Sequence, residues 1–313
     1  MHNHKEQKPG ISIVVVSWNT KEVTDECLLR IKKAAGFVLN RADVEVVVVD
    51  NDSTDGSPEM IEKKYPWVEL VKSGTNFGYA KGNNLGFRRT NLRYKYLLLL
   101  NSDAYLEKDT LVNSLNYFEN HEDRDVLGCK LILENGKLQP SAGNLPTPTN
   151  VWSWIWGLDL VPVINKFFKQ FHPRDKEFFK SDRKVGWVQG AFLFMKREVF
   201  EKTKGFDEKF FMYMDEVEWC RRVRDFGYNI FYSPEFFITH LDRASAHAIP
   251  EKMAQTYSLE VIGLIYYLRK YYPGNLAFLL PLIKLGVFLR RFVFFVLGNR
   301  TREQAYAKIL SEI

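Results

Sequence analysis

The chain has 313 residues, 46% of them apolar and 26% charged. That is enough to bury a sizeable core in one large domain or in one domain with an appendage, and too apolar for a disordered or fibrous protein. The net charge of +6 arises from Lys and Arg scattered among nearly as many acids, with no basic, aromatic-interleaved module. Nucleic acid is therefore not an expected partner, and an anionic membrane surface or a diphosphate substrate accounts for the excess. Cys27, Cys129 and Cys220 are few and far apart, which argues against a disulfide framework or a zinc cluster and fits a reducing compartment.

Residues 1–10 are polar and lack the apolar centre of a signal peptide, which predicts a chain that stays in the cytoplasm. Four short apolar runs follow, at 11–17 (ISIVVVS), 44–50 (VEVVVVD), 67–71 and 96–101 (YLLLLN). Continuous runs of this kind predict strands buried on both faces of a parallel sheet. Segments of helical length lie between them, near 21–35, 58–64 and 79–91, the second with Ser57 as a cap and Pro58 at the first helical position. The alternation predicts a right-handed βαβ architecture with ligands at the carboxyl ends of the strands.

Farther along, 140–150 is turn-rich and 172–184 highly charged, so both are expected to be loops. The aromatic run between them, VWSWIWGLDLVPVINKFF, reads either as core or as an acceptor-side or membrane-facing flap. In the apolar tail, 276–298 is long enough to span a bilayer but carries Lys284, Arg290 and Arg291. Each of these costs about 2.5–3.5 kcal/mol at the bilayer centre, so an interfacial helix is expected instead of a span.

Four blocks carry candidate chemistry. In VVVVDNDSTDGS (46–57) a strand delivers Asp50 into a polar turn, where a carboxylate can accept from a base N–H or a ribose hydroxyl; the same acids could merely shape the turn. NFGYAKGNNLG (76–86) combines glycines that allow close backbone approach with Asn76 and Asn83, without the dinucleotide fingerprint. LLLLNSDAYL (97–106) ends a buried strand in Asn101, Ser102 and Asp103, and Asp103 is placed to hold Mg²⁺ or Mn²⁺ against a diphosphate. In GFDEKFFMYMDEVEW (205–219), Asp215, Glu216 and Glu218 follow an aromatic stretch. Acids there complement a helix dipole, and one beside an aromatic wall can become a general base. His240 follows an apolar strand and can complete a metal site, although a lone histidine there is more often structural.

In this order the blocks resemble the family-2 glycosyltransferases of the GT-A fold, in particular the bacterial rhamnosyltransferase-like branch, over about residues 11–272. The resemblance implies an α/β, Rossmann-like nucleotide-binding sheet flanked by helices. The catalytic domain would occupy 11–255, with a nucleotide half to about 135 and an acceptor half beyond it, followed by a helical apolar extension, 256–313. It implies donor-binding roles for Ser17, Asn19, Asp50, Asp52, Asn76, Gly78, Lys81, Asn83, Asn101, Ser102 and Asp103. Asn101 replaces the first acid of the motif usually written DxD, which leaves the carboxylate role to Asp103. GWVQGAFLFMKR (186–197) resembles the acceptor-side block, with Trp187, Gln189 and Gly190 lining the pocket, and His240 matches a metal- or diphosphate-directed histidine.

The family's Glu-Asp pair stands inverted as Asp215-Glu216: position gives the base role to Glu216, chemistry slightly favours Asp215. The implied activity is inverting, metal-dependent transfer from a UDP- or dTDP-linked donor, with L-rhamnose suggested by the branch alone. The acceptor would be a saccharide or a polyprenyl-diphosphate-linked saccharide at the inner face of the plasma membrane. A sugar-nucleotide pyrophosphorylase would want a glycine-rich phosphate loop after the first strand, which SWNTKEV (17–23) does not offer; a non-catalytic adaptor would not need all these acids together.

Overall fold

The computed structural model describes residues 8–161, 169–241 and 250–313, with side chains of the last part from 258 on. Most of the polar N-terminal tail, the end of the aromatic run and the segment just after His240 lie outside the described residues. Strands β1 (Gly10–Ser17), β2 (Asp43–Asp50), β3 (Glu69–Lys72) and β4 (Tyr96–Asn101) are parallel in the order β3-β2-β1-β4. The crossovers carry α1 (Lys21–Val38), α2 (Ser57–Lys64) and α3 (Gly78–Phe87). Alternation along β1 and β4 divides the core between the two faces. Ile11, Ile13, Val15, Leu98 and Leu100 pack with Cys27, Leu28 and Ile31 of α1, whereas Val14, Leu97 and Leu99 join a second cluster on the other face.

The capping expected at α2 is not found. Gly56, left-handed at φ 83°, is the residue that precedes α2, and Ser57 is already helical. Asp55 replaces the serine as the polar organiser, its carboxylate accepting from the backbone N–H groups of Ser57 and Lys21.

Beyond β4 come β5 (Ala104–Leu106), α4 (Thr110–Asn120), β6 (Val126–Ile132), β7 (Leu138–Gln139), β8 (Ala142–Gly143), α5 (Pro148–Ile155), β9 (Arg183–Lys184), β10 (Trp187–Val188), β11 (Phe192–Lys196), α6 (Arg197–Lys202), α7 (Asp215–Asp225) and β12 (Ile230–His240). Strand β11 runs antiparallel between β4 and β6, and β12 pairs with β6 and β5. The segment expected to be a turn-rich loop starts α5 at its end, because Thr147 and Asn150 form a reciprocal capping box ahead of Pro148. Val151 and Ile155 of the aromatic run are buried core residues.

Three helices close the chain: α8 (Pro250–Tyr271), α9 (Pro273–Val296) and α10 (Arg300–Glu312). Leu264, Ile265, Tyr267 and Leu268 of α8 are buried in the core cluster that also holds Trp219 of α7. Leu276, Ile283 and Val287 turn the inner face of α9 into the same cluster, and its outer face stays apolar and exposed. Among the described residues no helix is long and apolar enough to cross a membrane.

The carboxyl ends of β2, β1 and β4 thus meet at one edge, where Asp50, Ser17 and Asn101 end their strands. Between β1 and β4 the strand order reverses, the place where open α/β sheets bind ligands.

Candidate active site

A cleft of about 360 Å³ opens at this edge, within the size range of small-molecule sites. Trp18 and Thr20 reach it from beyond β1, Asn76 and Gly78 from the start of α3, Asn101, Ser102 and Asp103 from the end of β4 and the turn after it, and Trp187, Gln189 and Gly190 from β10 and the segment leading to β11. Asp215 and Glu216 enter from the first turn of α7, and His240 from the end of β12. Segments distant in sequence, each singled out by its residue types, therefore share one cavity.

Several buried polar atoms without hydrogen bonds lie here: Asn51 Oδ1, Asn101 Oδ1, Asp215 Oδ2, His240 Nε2 and His172 Nε2 all belong to residues lining the cleft, and Asp50 Oδ1 lies beside Asn51. Buried polar groups are normally paired, so this set is poised for a polar ligand.

His240 Nδ1 donates to Gln139 Oε1 at 2.7 Å, which leaves Nε2 with its lone pair exposed. That atom makes no hydrogen bond and lies 3.2 Å from Asp103 Oδ1. Two electron-pair donors facing each other in a buried place fit a cation between them. No group of three or more His, Cys, Asp or Glu is gathered for a metal among the described residues. The pair therefore suits Mg²⁺ or Mn²⁺, which take few protein ligands and complete their shell with phosphate and water.

Asp215 is 1% exposed, and Glu216 beside it is half-buried. Burial pushes the Asp215 carboxyl well above the usual carboxylate range, and the charge and hydrogen bond of Glu216 push it further. Burial also raises Glu216, with the charge of Glu260 adding to it, while the hydrogen bonds from Asp215 and from the Gly190 N–H pull it back. Two adjacent carboxyls that are both raised by burial make a site able to hold and pass a single proton. Gly190 can come this close because it has no Cβ: one would fall 2.5 Å from Tyr79 Oη, the hydroxyl that donates to Gly190 O at 2.8 Å.

The backbone entering α7 is strained. Tyr213 and Met214 are both left-handed, at φ 66°, a conformation costing of order 1–3 kcal/mol per non-glycine residue and typical of functional sites. Helix α8 presses on them, with Gly263 giving the room: a Cβ there would stand 3.0 Å from Met214 Cβ.

Other residues singled out in the sequence stand outside the lining. Ser17 Oγ bonds Thr24 and Thr20. Asn19 Oδ1 accepts from Thr54 N, and Asp52 is a left-handed turn residue, φ 67°. Lys81 lies 3.7 Å over the Phe77 ring, and buried Asn83 donates to Tyr79 O in its own helix. Asp50 Oδ2 accepts from Ser53 N at 3.0 Å. Conversely, Tyr79, Gln139, His172 and Glu260 line the cleft without having been noticed. Tyr79 falls inside NFGYAKGNNLG and could have been found there; the other three sit in segments with no local pattern, brought in by β7, the chain before β9, and α8.

The family model described as "Glycosyl transferase family 2" matches residues 12–204. The N-acetylglucosaminyl-diphospho-decaprenol L-rhamnosyltransferase of Mycobacterium tuberculosis is 28% identical over 211 residues, 63% of this chain and 66% of that protein. The chain thus spans just under two thirds of that relative's length. Rhamnosyltransferase WbbL of Escherichia coli K12 is 24% identical over 210 residues, 64% of this chain and 75% of the relative. Among solved structures, mannosyltransferase PcManGT from Pyrobaculum calidifontis in complex with GDP-Man and Mn²⁺ shares the fold with a TM-score of 0.56 at 17% identity, covering 98% of this chain and 87% of that one.

Proposed function

The chain belongs to glycosyl transferase family 2, and we propose that it moves a sugar from a nucleoside-diphosphate donor onto a hydroxyl of a saccharide or lipid-linked saccharide, inverting the anomeric centre. The observation that carries this reading is the meeting, in one cleft, of the Asp103–His240 pair and the Asp215–Glu216 carboxyl pair. The first suits a cation-bound diphosphate, the second a proton transfer.

Donor binding is assigned to Asp103, Ser102, Asn101, Asn76 and Gly78, with Asp50 Oδ1 accepting from the nucleoside. Ser17, Asn19, Asp52, Lys81 and Asn83 support the loops around these residues. Asp103 and His240 are the residues to hold Mg²⁺ or Mn²⁺, which when bound supplies neutralisation of charge on the leaving diphosphate, a matter of several kcal/mol. Trp187, Gln189 and Gly190 border the acceptor.

Glu216 is the base. It is the more exposed member of the pair and accepts the hydrogen bonds of Asp215 and Gly190, so it carries the lower proton affinity of the two. Its carboxylate takes the acceptor hydroxyl proton while that oxygen attacks the anomeric carbon from the face opposite the diphosphate. Asp215, favoured at first on chemical grounds, is the proton-holding partner that orients Glu216.

Transfer of L-rhamnose to a lipid-linked diphosphate acceptor is supported by the likeness to the mycobacterial L-rhamnosyltransferase, and rhamnosyl transfer also by the likeness to WbbL of E. coli; a UDP- or dTDP-linked donor is part of the proposal. The exposed apolar face of α9 supports peripheral contact with a cytoplasmic membrane surface. The test is release of nucleoside diphosphate from UDP- and dTDP-sugars with and without Mn²⁺, with the product anomer read by NMR. Mn²⁺-dependent release and an inverted product are expected; no release from any donor in the panel would sink the reading.

A further inference from the structure

The cleft contains a second histidine–carboxylate pair that the chemistry above does not use. His172, in the chain before β9, places Nε2 3.2 Å from Glu260 Oε1 on α8, and both residues line the cavity. The imidazole is held from behind by aromatic rings: its centroid is 4.0 Å from that of Phe171 and 5.3 Å from that of Trp187. Trp187 is itself fixed by a hydrogen bond from Nε1 to Phe171 O. Glu260 is close enough to raise the proton affinity of Glu216 by its charge. Glu260 also precedes Gly263 by one turn of α8, and Gly263 abuts Met214 next to Asp215, so the pair stands on the Asp215–Glu216 side of the cleft, where the attacking hydroxyl must be, and shares no residue with Asp103–His240.

We infer that Glu260, with His172 beside it, binds a second hydroxyl of the acceptor sugar, a neighbour of the hydroxyl deprotonated by Glu216, and so selects which hydroxyl is glycosylated. This rests on the glycosyl-transfer reading. A carboxylate accepts from hydroxyls and cannot donate to them, so the ligand it fits is a polyhydroxyl ring and not a phosphate. A pyranose spanning Glu216 and Glu260 is held at two points. Removing one point loosens the acceptor and lets other hydroxyls reach Glu216, and donor affinity is untouched because no donor-directed residue is involved.

The test uses the full chain with dTDP-rhamnose, Mn²⁺ and N-acetylglucosaminyl diphosphate on a short prenyl chain. Glu260→Gln is expected to raise the acceptor KM by about tenfold or more, as loss of a hydrogen bond to a charged group does. The donor Kd by calorimetry should shift less than about twofold, and NMR should show product linked at more than one hydroxyl. His172→Gln should move the same parameters in the same direction, and Glu260→Asp should recover part of the acceptor KM. An unchanged acceptor KM and a single linkage in Glu260→Gln, with the parent active, would overturn the pair's role and leave the proposed function standing. A parent that transfers sugar from none of the UDP- or dTDP-linked donors, to this acceptor or to free N-acetylglucosamine, would overturn both.

Discussion

Glu216 and Glu218 stand two positions apart on the first turn of α7 with opposite surroundings. Glu216 meets the cleft beside Asp215, whereas Glu218 points into the interior and is bonded by Arg222, Lys270 and Tyr271. Replacing Glu216 by Gln is expected to lower kcat by about 10²–10⁴ with donor affinity little changed, the signature of a lost general base. Asp215→Asn should cost less, since an amide can still donate to Glu216; a larger loss at Asp215, read from single-turnover rates, would return the base role to that residue. Activity should also fall as pH drops through the raised Glu216 value.

Stability moves the other way. At pH below the ordinary carboxylate range Asp215 is protonated in both folded and unfolded chains and contributes no pH dependence. As pH climbs from about 4 toward the raised folded value, the unfolded chain releases its proton first and stability is lost. Asp215→Asn lacks that loss, so its melting temperature should gain on the parent as pH rises from about 4.5 to 8; a constant difference by calorimetry would show that the Asp215 carboxyl is not raised. The residue types of this pair were legible in the sequence, but their division of labour was not. It depends on depth of burial and on the Gly190 N–H, neither of which a spacing encodes.

At the scale of elements, α8 decides how well α7 is held. Glu218 is raised by its burial, yet the bonds from Arg222, Lys270 and Tyr271 outweigh this and keep it below the usual carboxylate range. Since Lys270 and Tyr271 end α8, the cluster ties α8 to α7 in the region where Gly263 presses on the strained Met214. Breaking a buried charge cluster by removing one partner is strongly destabilising, about 3–5 kcal/mol. Glu218→Ala should therefore lower the unfolding free energy by an amount of that order, seen as an earlier denaturation midpoint, and slow turnover through a loosened Asp215–Glu216 pair; an unchanged midpoint would make the cluster incidental. β1, β2 and β4 were plain in the sequence because each is a nearly continuous apolar run, and so was the edge where they end; β3, Glu69–Lys72, is instead a short edge strand, exposed or half-buried throughout. What could not be read is that a helix from the tail supplies Glu260 to the cleft wall, because nothing local to that helix marks it, and long-range packing alone brings it there.

At the scale of the whole molecule, α9 stands out for having two apolar sides. Its inner side packs on α5, and its outer side exposes Phe278, Leu285, Phe288, Leu289, Phe292 and Val296 along one stripe. The basic residues expected to meet headgroups are mostly engaged: Arg290 donates to Trp154 O and Tyr306 Oη, and Arg291 to Glu303 Oε1. Lys284 is exposed on the flank. Adsorption to a membrane should consequently be driven by the apolar stripe and depend only weakly on salt, unlike that of a polybasic segment. Deleting α9 and α10 would strip cover from the core, so truncation cannot separate membrane binding from folding. Substituting Phe278, Phe288 and Phe292 by Ser leaves the inner face intact. Each ring inserted into lipid is worth about 1.5–3 kcal/mol, so the triple variant should lose at least about a hundredfold in affinity for phosphatidylglycerol–phosphatidylethanolamine vesicles while keeping the parent's melting temperature. If the parent does not sediment with these vesicles, and light scattering instead shows a concentration-dependent dimer that the triple variant abolishes, the stripe is an interface between two copies of the chain and the membrane assignment falls.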